Sequence, residues 1–309
     1  MSEADRISRL TTRFAAPELV VPPGDDASVV RPSGALAVTS VDSLVEGVDF
    51  TLETWPAEAI GRKAIASAIS DLAAMGARPG EIHVAAGLPR ELSDESFDRI
   101  AAGIAEAADA SGAIVAGGDL SGAGELWLAV TVTGYADSVD GLVTRSGASE
   151  GEVVVVTGEL GGSRRAVELI ADGAPSDDPR LARQFDPQPR IEAGRLLAES
   201  GAGAMIDISD GLARDAGHIA TSSSVGIDLQ LGRLPLADGI DDPAWAAGSG
   251  EEYELLATLK PDRLGAATEA LLAIGVRLTA IGSVTRGDGA RLLDASGADI
   301  EVRGFDHFD

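Results

Sequence analysis

Short apolar runs alternate with stretches of helical periodicity along the first half of the chain, which predicts alternating strands and helices. The longest helical stretch carries apolar side chains from Ile60 to Met75. This helix should begin after a Thr54 N-cap, with Pro56 in its first turn, and should stop before Gly76. The predicted elements of this half are strand 35–41, helix 56–75, strand 81–88, helix 94–110, a short strand 114–116 and strand 126–134.

The second half begins with an unbroken apolar run over 153–156, which predicts a fully buried strand. The residues before it, 136–151, are polar and rich in glycine, so we expect a domain boundary there and domains at 1–137 and 138–309. The later predicted elements are helix 164–172, a flexible loop 173–189, helix 190–200, strand 204–208, helix 211–221, strands 225–231 and 253–259, helix 262–274, strand 277–284 and a C-terminal hairpin. This alternation predicts an α/β (α+β) architecture in both halves.

Composition narrows the class of protein. The chain has 309 residues, of which 45% are hydrophobic, enough to bury a sizeable core. Its 50 acidic residues outnumber 24 basic ones, so a net charge of -26 should repel nucleic acid and anionic membranes. Lys63 and Lys260 are the two lysines, and asparagine is absent. Either a GC-rich genome or a salt-adapted host explains this bias.

Several kinds of site and location are disfavoured by the residues present. The chain has no cysteine, which excludes disulfides, thiolate metal sites and a cysteine nucleophile. Its three histidines are scattered, without the spacing of a zinc motif. The N-terminus lacks the basic and apolar regions of a signal peptide, and no apolar run reaches the roughly 20 residues of a transmembrane helix. We therefore expect a cytoplasmic protein.

Short acidic clusters follow several of the apolar runs and stand beside Gly, Ser or Thr. They are Gly24-Asp25-Asp26, Ser40-Val41-Asp42-Ser43, Ser70-Asp71, Gly117-Gly118-Asp119 and Asp207-Ile208-Ser209-Asp210-Gly211. Carboxylates among small residues are the hard oxygen ligands that Mg²⁺ prefers, and a few of them together with substrate phosphates usually hold that ion. If these clusters converge, they form a magnesium-nucleotide site.

The individual acidic clusters differ in how strongly they indicate a metal or phosphate site. Asp71 falls in the last turns of its helix, where the helix dipole disfavours a carboxylate, and this favours a bound cation over a solvated acid. Two glycines before Asp119 allow a phosphate to approach the backbone. Asp210 precedes a predicted helix whose first N–H groups could bind phosphate, although it could also be a plain N-cap. The P-loop and GxGxxG signatures are absent, so any nucleotide must bind through other groups.

Eight motifs, in order along nearly the whole chain, closely resemble the thiamine-monophosphate kinase family. They are GDDASVV (24–30), TSVDSLVEGVDF (39–50), RKAIASAISDLAAMGARP (62–79), GGDLSG (117–122), LVTRSGASEGE (142–152), AMIDISDGLARDAGHIA (204–220), GSGEEYELL (248–256) and GFDHF (304–308). That family belongs to the superfamily of aminoimidazole ribonucleotide synthetase. The resemblance implies a two-domain fold whose N-terminal sheets pair into a barrel across a homodimer, with ATP and several Mg²⁺ ions between the domains.

The resemblance also assigns site residues. It implies metal contacts from Asp26, Ser40, Val41, Asp42, Asp71, Asp119, Asp207 and Asp210. It implies ATP contacts from Gly118, Asp119, Arg145 and Ser209, and thiamine phosphate contacts from Asp49, Glu251 and Phe305. Of the metal-binding acids, Asp42, Asp71, Asp119 and Asp210 are expected to support catalysis directly.

Two positions depart from the family pattern. The family usually has Thr where this chain has Val41, so a hydroxyl ligand is lost, although a backbone carbonyl remains. Position 49 is often His in the family and is Asp49 here, which puts its substrate contact in question.

The resemblance predicts Mg²⁺-dependent transfer of a phosphoryl group from ATP to thiamine monophosphate. Because the acceptor is already an anion, the reaction needs alignment and charge neutralisation rather than a strong base. The alternatives are another ATP-using enzyme of the superfamily, a non-catalytic nucleotide-binding protein and an acidic structural protein. A selenophosphate-type enzyme is disfavoured because it typically needs a reactive Cys or selenocysteine.

Overall fold

A computed structural model describes residues 3–14, 19–20 and 30–305 of the chain, which form two β-sheets and their flanking helices. The strands are β1 (Leu36–Val45), β2 (Arg78–Leu88), β3 (Ile114–Gly122), β4 (Trp127–Ala136), β5 (Val153–Thr157), β6 (Met205–Asp207), β7 (Gly226–Gln230), β8 (Leu255–Leu259), β9 (Leu278–Thr285) and β10 (Gly289–Leu293). The helices are α1 (Glu3–Arg13), α2 (Ala57–Ala74), α3 (Asp94–Ser111), α4 (Gly162–Ala171), α5 (Ala182–Phe185), α6 (Ile191–Glu199), α7 (Leu212–Ser223), α8 (Pro243–Ala247) and α9 (Leu264–Ala273). The mixed α/β architecture is as predicted.

The first sheet has four strands in the order β1-β4-β2-β3, so β1 and β3 are its two edges. Strand β4 pairs antiparallel with both neighbours, and β2 pairs parallel with β3. Alternate β4 side chains, Leu128, Val130 and Val132, are buried in the core with α2 and α3. The helices thus cover one face of this sheet. The opposite face carries Val41, whose exposed fraction is 64%.

The second sheet has six strands in the order β10-β7-β9-β5-β8-β6. Its pairs are antiparallel except that β10 runs parallel to β7. After β9 the chain passes beyond β7, and β10 forms the outer edge of the sheet. The predicted C-terminal hairpin is present in a short form, because the chain turns after β10 and Leu293 pairs antiparallel with Asp299. The pairing of β10 satisfies the outer edge of β7.

Two local predictions are corrected. Helix α2 begins at Ala57 with Pro56 at the N-cap position and without a side-chain cap, because the Thr54 hydroxyl instead bonds the Thr51 hydroxyl at 2.6 Å. Strand β3 continues through Gly122, so the Gly117-Gly118-Asp119 motif lies within the strand rather than after it. Helices α1 and α8 were not predicted from the sequence. The predicted stop at Gly76 is confirmed, since that residue has a φ of 70°.

The segment predicted as a flexible loop, 173–189, contains ordered and buried structure. It forms a 3-10 turn over Pro179–Leu181 followed by α5. Leu181 and Phe185 pack into the core of the first half, and Gln184 is also buried. The local richness in Pro and Asp did not reveal this, because burial here depends on contacts with α2, more than one hundred residues away along the chain.

Helix α2 lies between the two halves, and fifteen of its eighteen residues are buried. Its middle packs against α3, while Ala73 and Ala74 in its last turn join a core that includes Leu197 and Met205 of the second half. Gly194 of α6 permits this approach, since a Cβ there would lie 2.0 Å from the Ala73 carbonyl oxygen. Within the described part of the chain, no helix is both long enough and apolar enough to cross a bilayer.

Candidate active site

A cleft of about 870 Å³ lies between the two halves. Its walls come from β1 and the loop after it, from α2 and α4, and from three segments of the second half. Those segments are 207–210, 248–253 and 303–305. The cleft brings together residues that are far apart in sequence.

One end of the cleft is acidic. Asp42 projects from β1, Asp71 from the last turns of α2, and Asp207 from the end of β6. A serine supports each of the last two: the Ser40 hydroxyl donates to Asp71, and the Ser70 hydroxyl donates to Asp207 at 2.6 Å. Period-two alternation on β1 puts Ser40 and Asp42 on the same face. Predicted residues from three separate elements therefore converge.

The acidic end has too little positive charge to balance its carboxylates. Burial and the neighbouring Asp71 charge raise the pKa of Asp207 to about 7. Burial also raises the pKa of Asp71; the charge of Asp42 adds to this, while the Ser40 hydrogen bond and the Arg145 guanidinium oppose it. A multivalent cation that binds between crowded carboxylates stabilises their ionised forms. The donor set is all oxygen, which fits Mg²⁺.

The turn that leads into α7 differs from the prediction. Backbone N–H groups of Ser209, Asp210 and Gly211 all donate to one oxygen of Asp215, at 3.1–3.2 Å. These three amides precede α7, which begins at Leu212, so the binding of phosphate by the first N–H groups of the helix stays a prediction. The N-cap residue is Gly211 rather than Asp210. Burial, together with the charges of Asp207 and Asp210, raises the pKa of Asp215 to about 7.

Asp210 itself lies on the cleft wall and makes an ion pair of 3.3 Å with Arg214. Its carboxylate also lies within 4.8 Å of ligand atoms of Asp215 and His218. Ser209 follows β6, which ends at Asp207, and also lies on the cleft wall.

The three predicted substrate residues line the same cleft, and the part that they form is called the acceptor end. Asp49 accepts a hydrogen bond from the Val45 amide at 2.7 Å. Glu251 is partly exposed and is held by Lys63 at 2.6 Å and by the Gln184 amide at 2.9 Å. Phe305 is 48% exposed on the cleft wall, and its backbone N–H donates to the Asp210 carbonyl at 2.9 Å.

The remaining predicted residues are placed differently. Gly118 and Asp119 are exposed on β3, and β2 and β4 separate that strand from β1, so one copy of the chain does not bring them to Asp42. Val41 contributes to the cleft wall, although its side chain is largely exposed. Arg145 is exposed but near enough to influence Asp71 and Asp207. Asp26 lies outside the described residues.

Sequence reasoning missed three polar residues that organise this site. Lys63 and Gln184 hold Glu251, and Asp215 binds the amides before α7. The position of Lys63 within an apolar helical stripe was a signal that could have identified it as a functional residue. Gln184 had no comparable signal, since its segment was predicted to be a loop.

Known proteins match both halves of the chain. Residues 24–136 match the family described as AIR synthase related protein, N-terminal domain, and residues 149–294 match the corresponding C-terminal domain. Thiamine-monophosphate kinase of Halobacterium salinarum is 39% identical over 284 residues, covering 89% of this chain and 94% of that protein.

Solved structures agree with these matches. The crystal structure of thiamine-monophosphate kinase from Stenotrophomonas maltophilia K279a superposes with a TM-score of 0.85 at 31% identity, covering 97% of this chain and 98% of the other. The structure of AaThiL complexed with AMPPCP and TMP gives a TM-score of 0.80 at 29% identity, covering 99% and 97%. The chain therefore belongs to the thiamine-monophosphate kinase family, among the AIR synthase related proteins.

Proposed function

We infer that this chain is an ATP-dependent kinase that converts thiamine monophosphate to thiamine diphosphate, with release of ADP. Relatives named for this activity match over most of the chain, and one solved relative is complexed with AMPPCP, an ATP analogue, and TMP. The observation that carries the proposal is the cleft between the two halves. Carboxylates converge on its wall, and the acceptor-binding set of Asp49, Glu251 and Phe305 lines the same cleft.

We propose that Mg²⁺ occupies the acidic end. Ser40, Asp42, Asp71, Asp207 and Asp210 would hold it, since they supply hard oxygen ligands. The raised pKa values of Asp71 and Asp207 support this, because both carboxyls lack sufficient neutralising charge. Bound Mg²⁺ neutralises phosphate charge and favours in-line transfer.

The chain's own residues would supply orientation. An oxygen of the acceptor phosphate forms a bond to the γ-phosphorus of ATP, the bond to the β–γ bridging oxygen breaks, and ADP leaves. The acceptor phosphate is already ionised, so no residue has to remove a proton. Glu251 and Phe305 fix the thiamine end, while Arg145 contributes positive charge near the phosphates.

Product analysis tests the activity. The protein is incubated with ATP, Mg²⁺ and either thiamine monophosphate or free thiamine, and the products are separated by chromatography. We expect thiamine diphosphate from the monophosphate only. Phosphorylation of thiamine without phosphorylation of the monophosphate would refute the assignment. Loss of turnover in EDTA and its recovery with added Mg²⁺ tests the metal separately.

We propose further that two copies of the chain combine. Strands β1 and β3 are the open edges of the first sheet, and unpaired edges favour pairing with another chain. Joining β1 of one copy to β3 of another, twice, would close a barrel and bring Asp119 of one chain alongside Asp42 of its partner. This would explain why Asp119 lies apart from the other acids within one chain.

Subunit mixing tests this arrangement. Asp71→Asn and Asp119→Asn are each expected to be inactive, because each lacks one proposed metal ligand. If Asp119 serves the partner's cleft, co-expression of the two variants restores one complete site per mixed dimer, and activity returns. No recovery in mixed dimers that have been purified with two different tags would contradict the shared site.

A further inference from the structure

Lys63 is a buried cation next to the acceptor end of the cleft. Its exposed fraction is 1%, although burying an ammonium group is costly unless the charge is paired. It extends from α2 and contacts the Glu251 carboxylate at 2.6 Å and the Gln184 side-chain oxygen at 2.7 Å. It also donates to the Asp49 carbonyl oxygen at 3.3 Å. All these partners are at or beside the acceptor end.

One aromatic ring lies against the Lys63 ammonium group. Its Nζ lies 5.0 Å from the ring centroid of Trp55, a cation–π distance. Trp55 in turn packs edge-on against Phe50 and Phe185, with centroid separations of 6.4 Å and 5.0 Å. The ring that contacts the ammonium group is thus itself held by two further aromatic side chains.

Glu251 is held in an unusual conformation. Its φ is 55°, a left-handed value that non-glycine residues seldom adopt, and Tyr253 has a φ of 53°. The Glu251 amide donates to the Ser209 carbonyl at 2.8 Å, which links this turn to the acidic end of the cleft. The surrounding contacts therefore have to maintain a backbone conformation that is unfavourable by itself.

The two carboxylate oxygens of Glu251 are divided between two partners. Lys63 contacts Oε1, and Gln184 donates to Oε2 at 2.9 Å. Gln184 also donates to the Ser163 hydroxyl at 2.8 Å, so its amide orientation is determined from both sides. A carboxylate offers about four acceptor positions, so Glu251 retains capacity for a further donor. Its side chain is 34% exposed, which leaves that capacity accessible.

We propose that Lys63, together with Gln184, is a positioning residue that directs the Glu251 carboxylate toward the amino-substituted heteroaromatic end of the acceptor. The inference rests on the proposed function, since Glu251 acts on that acceptor. Lys63 belongs to the first half of the chain and Glu251 to the second, so the specificity of the cleft is set across the two halves. Binding of ATP, which we propose to occur with Mg²⁺ at Asp42, Asp71 and Asp207, should be insensitive to this pair, because the contacts of Lys63 and Gln184 go to other residues.

Steady-state kinetics and calorimetric binding of thiamine monophosphate test the proposal. Lys63→Met keeps the side-chain length but removes the charge. We expect its KM and Kd for thiamine monophosphate to rise about 10-fold or more, while KM for ATP and kcat change by less than about threefold. The matched control is Lys260→Met, because Lys260 is the other lysine and is exposed. This control should behave as the unmodified protein.

A double-variant cycle separates positioning from a purely structural role. If Lys63 acts through Glu251, Lys63→Met combined with Glu251→Gln should bind thiamine monophosphate no more weakly than Glu251→Gln alone. A lower unfolding temperature with unchanged KM for the monophosphate, or multiplicative effects of the two changes, would overturn the proposal. Absence of monophosphate turnover in the unmodified protein would instead refute the proposed function.

A second variant covers the case in which Lys63→Met does not fold. Gln184→Met removes the amide that holds the other oxygen of Glu251 and introduces no buried charge. We expect a rise of about threefold or more in the KM for thiamine monophosphate, again without a matching change for ATP. Equal changes for both substrates would count against the proposal.

Discussion

Glu252 is the residue whose replacement should most clearly change the pH dependence of stability. Its side chain is buried beside the first turn of α4, where Oε1 accepts from the Gly161 amide at 2.7 Å and from the Ser163 amide at 3.3 Å. Its other oxygen, Oε2, is buried without a hydrogen-bond partner among the described residues. Burial raises the pKa of Glu252 to about 7, even though these amides, Ser249 and Arg183 oppose the shift.

The sign and size of the effect follow from linkage. The ordinary pKa of this carboxyl is 4.5, so between that value and about 7 the unfolded chain loses the proton while the folded protein keeps it. Ionisation then favours the unfolded state, and stability falls as the pH rises through this window. A difference of about 2.5 units at 1.36 kcal/mol each corresponds to roughly 3 kcal/mol between about pH 4.5 and 7.5. Below the window both states are protonated, and above it both are ionised.

Glu252→Gln removes the titration and keeps the shape of the side chain. Urea unfolding followed by tryptophan fluorescence, in metal-free buffer at pH 5 and pH 8, gives the free energy of unfolding of each protein. The unmodified protein should lose about 3 kcal/mol more than the variant between these two values. Glu269→Gln, on the exposed surface of α9, is the control and should follow the unmodified protein. Curves for Glu252→Gln and the unmodified protein that stay parallel would refute the reasoning.

Three other outcomes are expected. Asp71→Asn should lower kcat by at least ~10²-fold with unchanged circular dichroism, because it removes a carboxylate from the proposed metal site; near-normal turnover would make Asp71 a structural acid. Gly194→Ala should lower the free energy of unfolding by several kcal/mol, roughly as overpacking of a core does. The control is Gly265→Ala, which should not lower it, because its new methyl group meets nothing within 4 Å. Equal melting temperatures of the two variants would contradict the close packing of α2 against α6. Sedimentation at low micromolar concentration should give twice 31.4 kDa, and a monomer would exclude the barrel while leaving the kinase assignment intact.

The sequence predicted the elements whose signals are local. Helix α3 begins at Asp94, as predicted, and the Ser93 hydroxyl caps it by accepting from the Ser96 amide at 3.0 Å. The acids Asp42, Asp71 and Asp207 were identified because each follows an apolar run beside a small residue, and all three reach the cleft. The family and the kinase function were predicted correctly because eight motifs occur in order.

Features that depend on distant contacts were not predictable in this way. Lys63 meets Gln184 across 121 positions of sequence, and no local pattern in either segment indicates the other. The sequence left open whether Asp210 caps the following helix; in the structure Gly211 is the N-cap residue, and Asp215 binds the three amides before the helix. Strand β10 pairs with β7 rather than with its sequence neighbour β9 because sheet order is a tertiary property. The domain boundary at 137/138 stays a prediction.

The position of α2 has a consequence for how the chain folds during synthesis. The last turn of this helix, with Ala73 and Ala74, is covered by residues such as Leu197 and Met205, which leave the ribosome more than one hundred residues later. Until then, the nascent first half has no partner for that turn. Its core also lacks Leu181 and Phe185 during this interval. The two halves therefore complete their cores together, and a chaperone that shields the first half during translation would raise the yield of native protein.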